Sequence, residues 1–104
     1  MTTFKVILET TAVSDLRGIL QYIAVTLKEP VAARRIYRSV KEQIMKLDIM
    51  PLRHPLVIDE TFAARGLRKM PVGNYLVFYV ADESRKEVHV LRILYNRREW
   101  QNLL

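Results

Sequence analysis

Gly73-Asn74-Tyr75-Leu76-Val77-Phe78-Tyr79-Val80-Ala81-Asp82-Glu83-Ser84-Arg85-Lys86-Glu87-Val88-His89-Val90-Leu91-Arg92-Ile93-Leu94-Tyr95-Asn96-Arg97-Arg98 is the stretch that decides the fold of this chain. Two runs rich in β-branched and aromatic residues, Tyr75 to Ala81 and Val88 to Tyr95, flank the polar segment Asp82 to Lys86. That pattern predicts an antiparallel hairpin. The unbroken apolar run of the first arm leaves no polar face for water, so this arm is expected to be central in its sheet and covered on both sides. The hairpin ends on Tyr95, Arg97, Arg98 and Trp100, a cationic and aromatic cluster where function is expected.

Upstream, Leu67 to Met70 reads as a strand, with Pro71, Gly73 and Asn74 turning the chain into the hairpin. Phe4 to Leu8 reads as the first strand. Val13, Leu16, Ile19, Leu20, Ile23 and Leu27 recur every three or four residues, which predicts a helix over Ala12–Lys28. Thr10 or Thr11 is its expected N-cap, and Asp15 lies in its first turn. Gly18 inside it costs about 1 kcal/mol relative to Ala and permits a close helix contact. Pro30 suits the start of a second helix to about Asp48, striped by Ala33, Ile36, Val40, Ile44 and Leu47. Residues 49–64 carry Pro51 and Pro55 without a period and read as a long loop, with Asp59-Glu60 as an acidic break. Residues 98–104 are expected to form one or two helical turns.

The order β-α-α-β-β-β predicts one α+β domain over 1–104: a small antiparallel sheet, strand two running against strand one, with an antiparallel helix pair on one face. The other face has only the long loop and the C-terminal segment to cover it, which predicts a groove.

Composition limits the functions. The 104 residues carry a net charge of +6 and no Cys, so there is neither a disulfide framework nor a thiolate metal site. Residues 1–60 hold nine cations and seven anions, whereas residues 61–104 hold eight and four. A field of this sign favours a polyanion or an acidic protein partner, against the plainer reading of solubility alone. No leader-like segment and no apolar run of about 18 residues occurs, so a cytoplasmic protein without a membrane partner is expected.

His54 and His89 are the only imidazoles, one in the loop and one in a strand, and no Cys or helical His pair accompanies them. No metal and no other cofactor is expected. Three scattered glycines make no phosphate loop, and Ser14, Ser39 and Ser84 have no histidine placed beside them for a triad. What remains is Arg65, Arg68, Lys69, Arg92, Tyr95, Arg97 and Arg98 near strand ends. Metal-free phosphodiester chemistry needs cations for the developing charge on phosphorus oxygens and a group that moves a proton. Arg and Lys supply the first, and Tyr, His or Lys the second. The competing reading is that a basic strand edge prevents edge-to-edge aggregation.

The helix pair, Gly66-Leu67-Arg68-Lys69, the Asn74-to-Val80 strand and the Val90-to-Arg98 ending together resemble the RelE/ParE superfamily of toxins from bacterial toxin–antitoxin modules. The resemblance spans nearly the whole chain in element order and is most specific in the last 35 residues or so. It implies a small basic toxin held in a heterocomplex by a cognate acidic antitoxin. RelE-like members cleave mRNA on the ribosome without a metal; ParE-like members act on DNA gyrase and lack the nuclease residues. Carried over, Lys69, Tyr95, Arg97 and Arg98 are the implied catalytic positions, and Arg65, Arg68 and Arg92 the implied RNA- or phosphate-binding ones. The chain departs where many members read Tyr-Arg in the third strand, because Tyr75 is followed by Leu76. The first expectation is therefore a ribosome-dependent endoribonuclease toxin, the second a gyrase-directed toxin acting by binding, and the third an inactive regulatory partner. In the plainer reading of single residues, Tyr75, Phe78 and Tyr79 are core aromatics, Trp100 packs the tail on the sheet, and Arg34, Arg35 and Arg38 form a solvated helix face.

Overall fold

The computed structural model describes residues 3–96, 100 and 103–104. Strand β1 (Lys5–Leu8) leads into helix α1 (Thr10–Gln21), which continues as a π-helical turn over Tyr22–Thr26. Pro30 opens α2 (Pro30–Met45), where its missing N–H costs nothing. The short helix α3 (Glu60–Ala64) precedes β2 (Arg68–Val72), β3 (Tyr75–Asp82) and β4 (Glu87–Tyr95). The protein is α+β, with the helix pair on one face of a four-stranded sheet, as the order of elements predicts.

Two helix-end expectations give way. Glu9, not Thr10 or Thr11, precedes the first helical residue, and no side chain caps α1. Thr11 instead donates its hydroxyl to the Leu91 carbonyl at 2.6 Å, and Asp15 Oδ2 accepts the Ile93 N–H at 3.0 Å. Strand β1 is too short to cover that part of β4, so side chains of α1 satisfy its edge.

The sheet order is β1-β4-β3-β2, with β3 and β4 central. β2, β3 and β4 form an antiparallel meander, but β1 pairs with β4 in parallel, so the sheet is mixed rather than wholly antiparallel. The reason lies in the segment read as a loop. Its residues 55–57 run antiparallel beside the start of β2: the Val57 N–H reaches the Leu67 carbonyl at 3.0 Å, and the Lys69 N–H reaches Pro55 at 3.2 Å. This extra pass across the sheet, added to the two helices, sends β2 off in the direction of β1 instead of against it. Helix α3 makes the return, capped by Asp59, whose Oδ1 accepts the N–H groups of Thr61 and Phe62 at 3.0 and 3.2 Å.

The apolar run of β3 is buried on both sides. Val77 and Tyr79 join Val88, Val90 and Ile93 beneath Leu16, Val40 and Ile44 of the helices. Leu76, Phe78 and Leu94 face the other way, beneath Val57, Leu67, Phe62, Trp100, Leu103 and Leu104. The face expected to be a groove is therefore covered. Among the described residues, no helix is long and apolar enough to cross a membrane.

Candidate functional site

The β-sheet register brings two of the singled-out cations onto one face. Lys69 pairs with Phe78 and Phe78 with Arg92, and directly opposed residues point the same way. Lys69 and Arg92 thus lie two strand spacings apart, roughly 10 Å, on either side of Phe78. The register steps between Phe78 and Tyr79, leaving Leu91 as an extra residue of β4. Such a bulge re-aims a neighbouring side chain. Arg92 beside it reaches Asp15 of α1: Nε to Oδ2 at 2.7 Å and Nη2 to Oδ1 at 3.0 Å.

Above this row lie Trp100, Leu103 and Leu104. The Trp100 ring sits 5.0 Å from that of Phe78 and 6.0 Å from that of Phe62. Arg92 Nη1 donates to the Leu103 carbonyl, so one guanidinium ties α1, β4 and the tail together. Hydrogen bonding to Asp15 pushes the Arg92 pKa up, burial opposing it. Its charge is matched by a carboxylate and its donors are directed inward. Leu76, where the superfamily resemblance implies an arginine in many members, is only 6% exposed in the same apolar cluster.

The other candidates lie elsewhere. Tyr95 pairs with Tyr75 in register and its ring lies 5.7 Å away, on the helix side of the sheet. Both line an open groove of about 940 Å³ with Ser14, Gly18 and Tyr22. Burial, and then the neighbouring Tyr95, raise the Tyr75 pKa. Arg68 faces Tyr79, and its Nη1 donates to the carbonyls of His54 and Leu52 at 2.7 and 3.2 Å. Arg65 is exposed at the end of α3. Arg97 and Arg98 lie outside the described residues. Lys69 and Arg92 are therefore brought together, whereas Tyr95, Arg68 and Arg65 are not brought to them.

Three features escaped the sequence reading. The Asp15–Arg92 pair joins residues 77 apart in the chain, and no local pattern marks it. His89 contacts Glu9 Oε1 through Nδ1 at 2.7 Å and Glu87 Oε1 through Nε2 at 3.3 Å, and the Glu9 contact above all raises its pKa. The third is a set of arginine clips on the loop. Arg53 Nη1 donates to Ile49 and Lys46 at 2.5 and 3.1 Å, beside the Arg68 bonds, and the buried Tyr79 hydroxyl donates to Pro51. His54, its Nε2 buried without a partner, is pushed to a lower pKa by burial and then by Arg53. Among the described residues, no three His, Asp or Glu side chains gather as metal ligands.

A helix hairpin on a four-stranded mixed sheet, its far face sealed by short segments, defines the class: a small α+β protein built around a β3–β4 hairpin. The family model described as the ParE toxin of the type II toxin–antitoxin system parDE matches residues 6–100. This chain belongs to that family. Among solved structures, it is similar to a chain of the chromosomal ParDE toxin–antitoxin system from P. aeruginosa, with a TM-score of 0.72 and 20% identity over 89% of this chain and 96% of that one. It is also similar to a chain of the RelBE2 toxin–antitoxin complex from Mycobacterium tuberculosis, with a TM-score of 0.69 and 25% identity, covering 91% of this chain and 93% of that one. A chain of the archaeal RelE–RelB complex from Pyrococcus horikoshii OT3 matches at a TM-score of 0.55 and 19% identity, covering 93% and 99%. No curated protein sequence matches the chain.

Proposed function

We propose that this chain is a toxin that acts by binding DNA gyrase rather than by cleaving mRNA, and that a cognate acidic antitoxin neutralises it. The observation that carries this is the state of Arg92, paired with Asp15 and bonded to the tail carbonyl beneath a face closed by Trp100. Metal-free RNA cleavage needs unpaired cations beside a proton-transfer group at one accessible point. Here Lys69 and Tyr95 are on opposite faces of the sheet, Arg92 is neutralised by Asp15, and Leu76 supplies no further charge. Membership of the ParE family supports the same choice.

The cleavage reading, placed first by the sequence, keeps one observation in its favour: Lys69 and Arg92 share a face, so lifting the tail would expose two cations together. The two readings separate in a paired assay. Purified chain added to gyrase and closed circular DNA is expected to accumulate gyrase-linked breaks, while primer extension on mRNA from induced cells shows no new ends. New ends inside translated codons, abolished by Lys69→Ala, would overturn the proposal.

A further inference from the structure

The groove of about 940 Å³ beside Tyr75 and Tyr95 differs in character from the rest of this basic chain. Asp15 and Glu29 stand in its wall, and no Lys or Arg among the described residues does. Asp15 is matched by Arg92, but none of the ion pairs among the described residues takes Glu29. Three tyrosines line the same space. Tyr22 and Tyr95 are 55% and 40% exposed, and the Tyr75 and Tyr95 rings are inclined at 62° with centroids 5.7 Å apart. Two rings inclined in this way bound a corner, and each ring face carries the negative part of its quadrupole.

Three irregularities of the backbone shape this wall. In the π-helical turn the Leu27 N–H donates to the Tyr22 carbonyl at 3.0 Å, and both residues line the groove. On α-helical spacing, residues so placed would diverge by about 140°. Lys28 then takes a left-handed φ of 54°, and the chain folds back so that the Glu29 N–H donates to the Ile23 carbonyl at 2.9 Å. Single π turns and left-handed non-glycine residues concentrate at functional sites. The third irregularity is Gly18, which weakens α1 relative to alanine. Among the described residues a Cβ built there meets nothing within 4 Å, so no packing contact requires it. It lines the groove and leaves it wider.

We propose that this groove binds a small organic cation, an alkylated ammonium whose charge lies against the Tyr75 and Tyr95 rings and Glu29 and whose apolar part lies along Ile19 and Ile36. Charge and hydration select the occupant. A phosphate-bearing ligand would meet Glu29 with like sign. A bare ammonium holds its water too firmly to gain from aromatic faces. An alkylated ammonium sheds water readily, is drawn to tyrosine faces and fills apolar space. The groove has the volume and mostly apolar lining of a small-ligand site. The proposal does not depend on the toxin reading.

The probe is choline, compared with its neutral isostere in which a quaternary carbon replaces the nitrogen. Both are titrated against the full chain, and binding is read from the proton signal of their methyl groups, which ring currents move upfield. Choline is expected to bind with a dissociation constant on the order of 1 mM, fitting for so small a ligand. The isostere should bind about tenfold more weakly. Tyr95→Phe should keep the preference for choline, because the ring face remains, whereas Tyr95→Leu should lose it. Glu29→Gln should weaken choline roughly threefold, as an exposed charge contact allows. Gly18→Leu should block both ligands while the thermal midpoint holds or rises. Circular dichroism and Trp100 emission are expected to stay unchanged in the variants. Equal binding of choline and its isostere would overturn the proposal, and so would undiminished choline binding in Gly18→Leu. A helical peptide of roughly 15 residues, with leucine on one face and arginine on the other, is the last comparison. Its binding to this groove, lost in Gly18→Leu, with no binding of choline would overturn the proposal in favour of a protein partner.

Discussion

The two faces of β3 are sealed in different ways. On one, Val77 and Tyr79 lie beneath two long helices whose apolar stripes are continuous. On the other, Leu76 and Phe78 lie beneath a five-residue helix, a length of loop and the last residues of the chain. The first cover is a regular element with many turns to anchor it. The second depends on single anchors: Trp100 on Phe78, Arg92 on Asp15 and the tail, Asp59 capping α3. Local stability is expected to follow that difference, and the low end of the range is where binding segments and lids are found. The cation row lies on the weakly held face.

The difference between the two faces is greatest at Phe78. It is fully buried, so Phe78→Ala should cost about 3–5 kcal/mol, read as a fall in urea midpoint. The tail should detach before the helix face melts, visible as a Trp100 emission change ahead of the far-ultraviolet transition. A single coincident transition in the variant would show that the two faces are not separable.

Next in size is the Asp15–Arg92 pair. Asp15→Ala leaves the guanidinium and the Ile93 N–H without their acceptor; with these side chains 15% and 24% exposed, the cost should be about 1.5–3 kcal/mol. Replacing both with leucine should cost less than the single change, because no charge is left unpaired. Denaturant titration of the three variants checks this.

On the helix face, Tyr79→Phe removes only the bond to the Pro51 carbonyl and should cost about 1 kcal/mol. It should loosen the loop at residues 46–55, seen as faster hydrogen exchange there, while Trp100 emission stays unchanged.

The smallest effect is the pH response of His89. Its pKa is raised in the folded chain by Glu9, so the stability it contributes is fully present below the ordinary histidine value of about 6.5. That stability is lost as pH rises through the higher folded value. Urea midpoints should fall over this upward span, and the slope should flatten in Glu9→Gln.

What the sequence revealed follows the same division. Periodicity exposed both helices within a few residues, and the apolar runs exposed β3 and β4, because burial by regular elements leaves a regular pattern. The second cover left none. Residues 55–57 pair with β2 through backbone groups that any sequence could supply, and missing that pass made the sheet look wholly antiparallel. Among the candidate site residues, the residue types near strand ends were readable, but their faces were not. A one-residue bulge at Leu91 and a distant carboxylate at Asp15 decide what Arg92 does. Gly18 illustrates the same limit: it was expected to permit a close helix contact, yet among the described residues a Cβ built there meets nothing within 4 Å.

Trp100, Leu103 and Leu104 close the face bearing Lys69 and Arg92. Trp100 is the one tryptophan, so its emission reports that contact alone. Acrylamide quenching of the native chain is the direct measurement. Native emission is expected to be blue-shifted and quenched slowly, and to become water-like and readily quenched in Phe78→Ala. Emission already water-like and fully quenched in the native chain would contradict it.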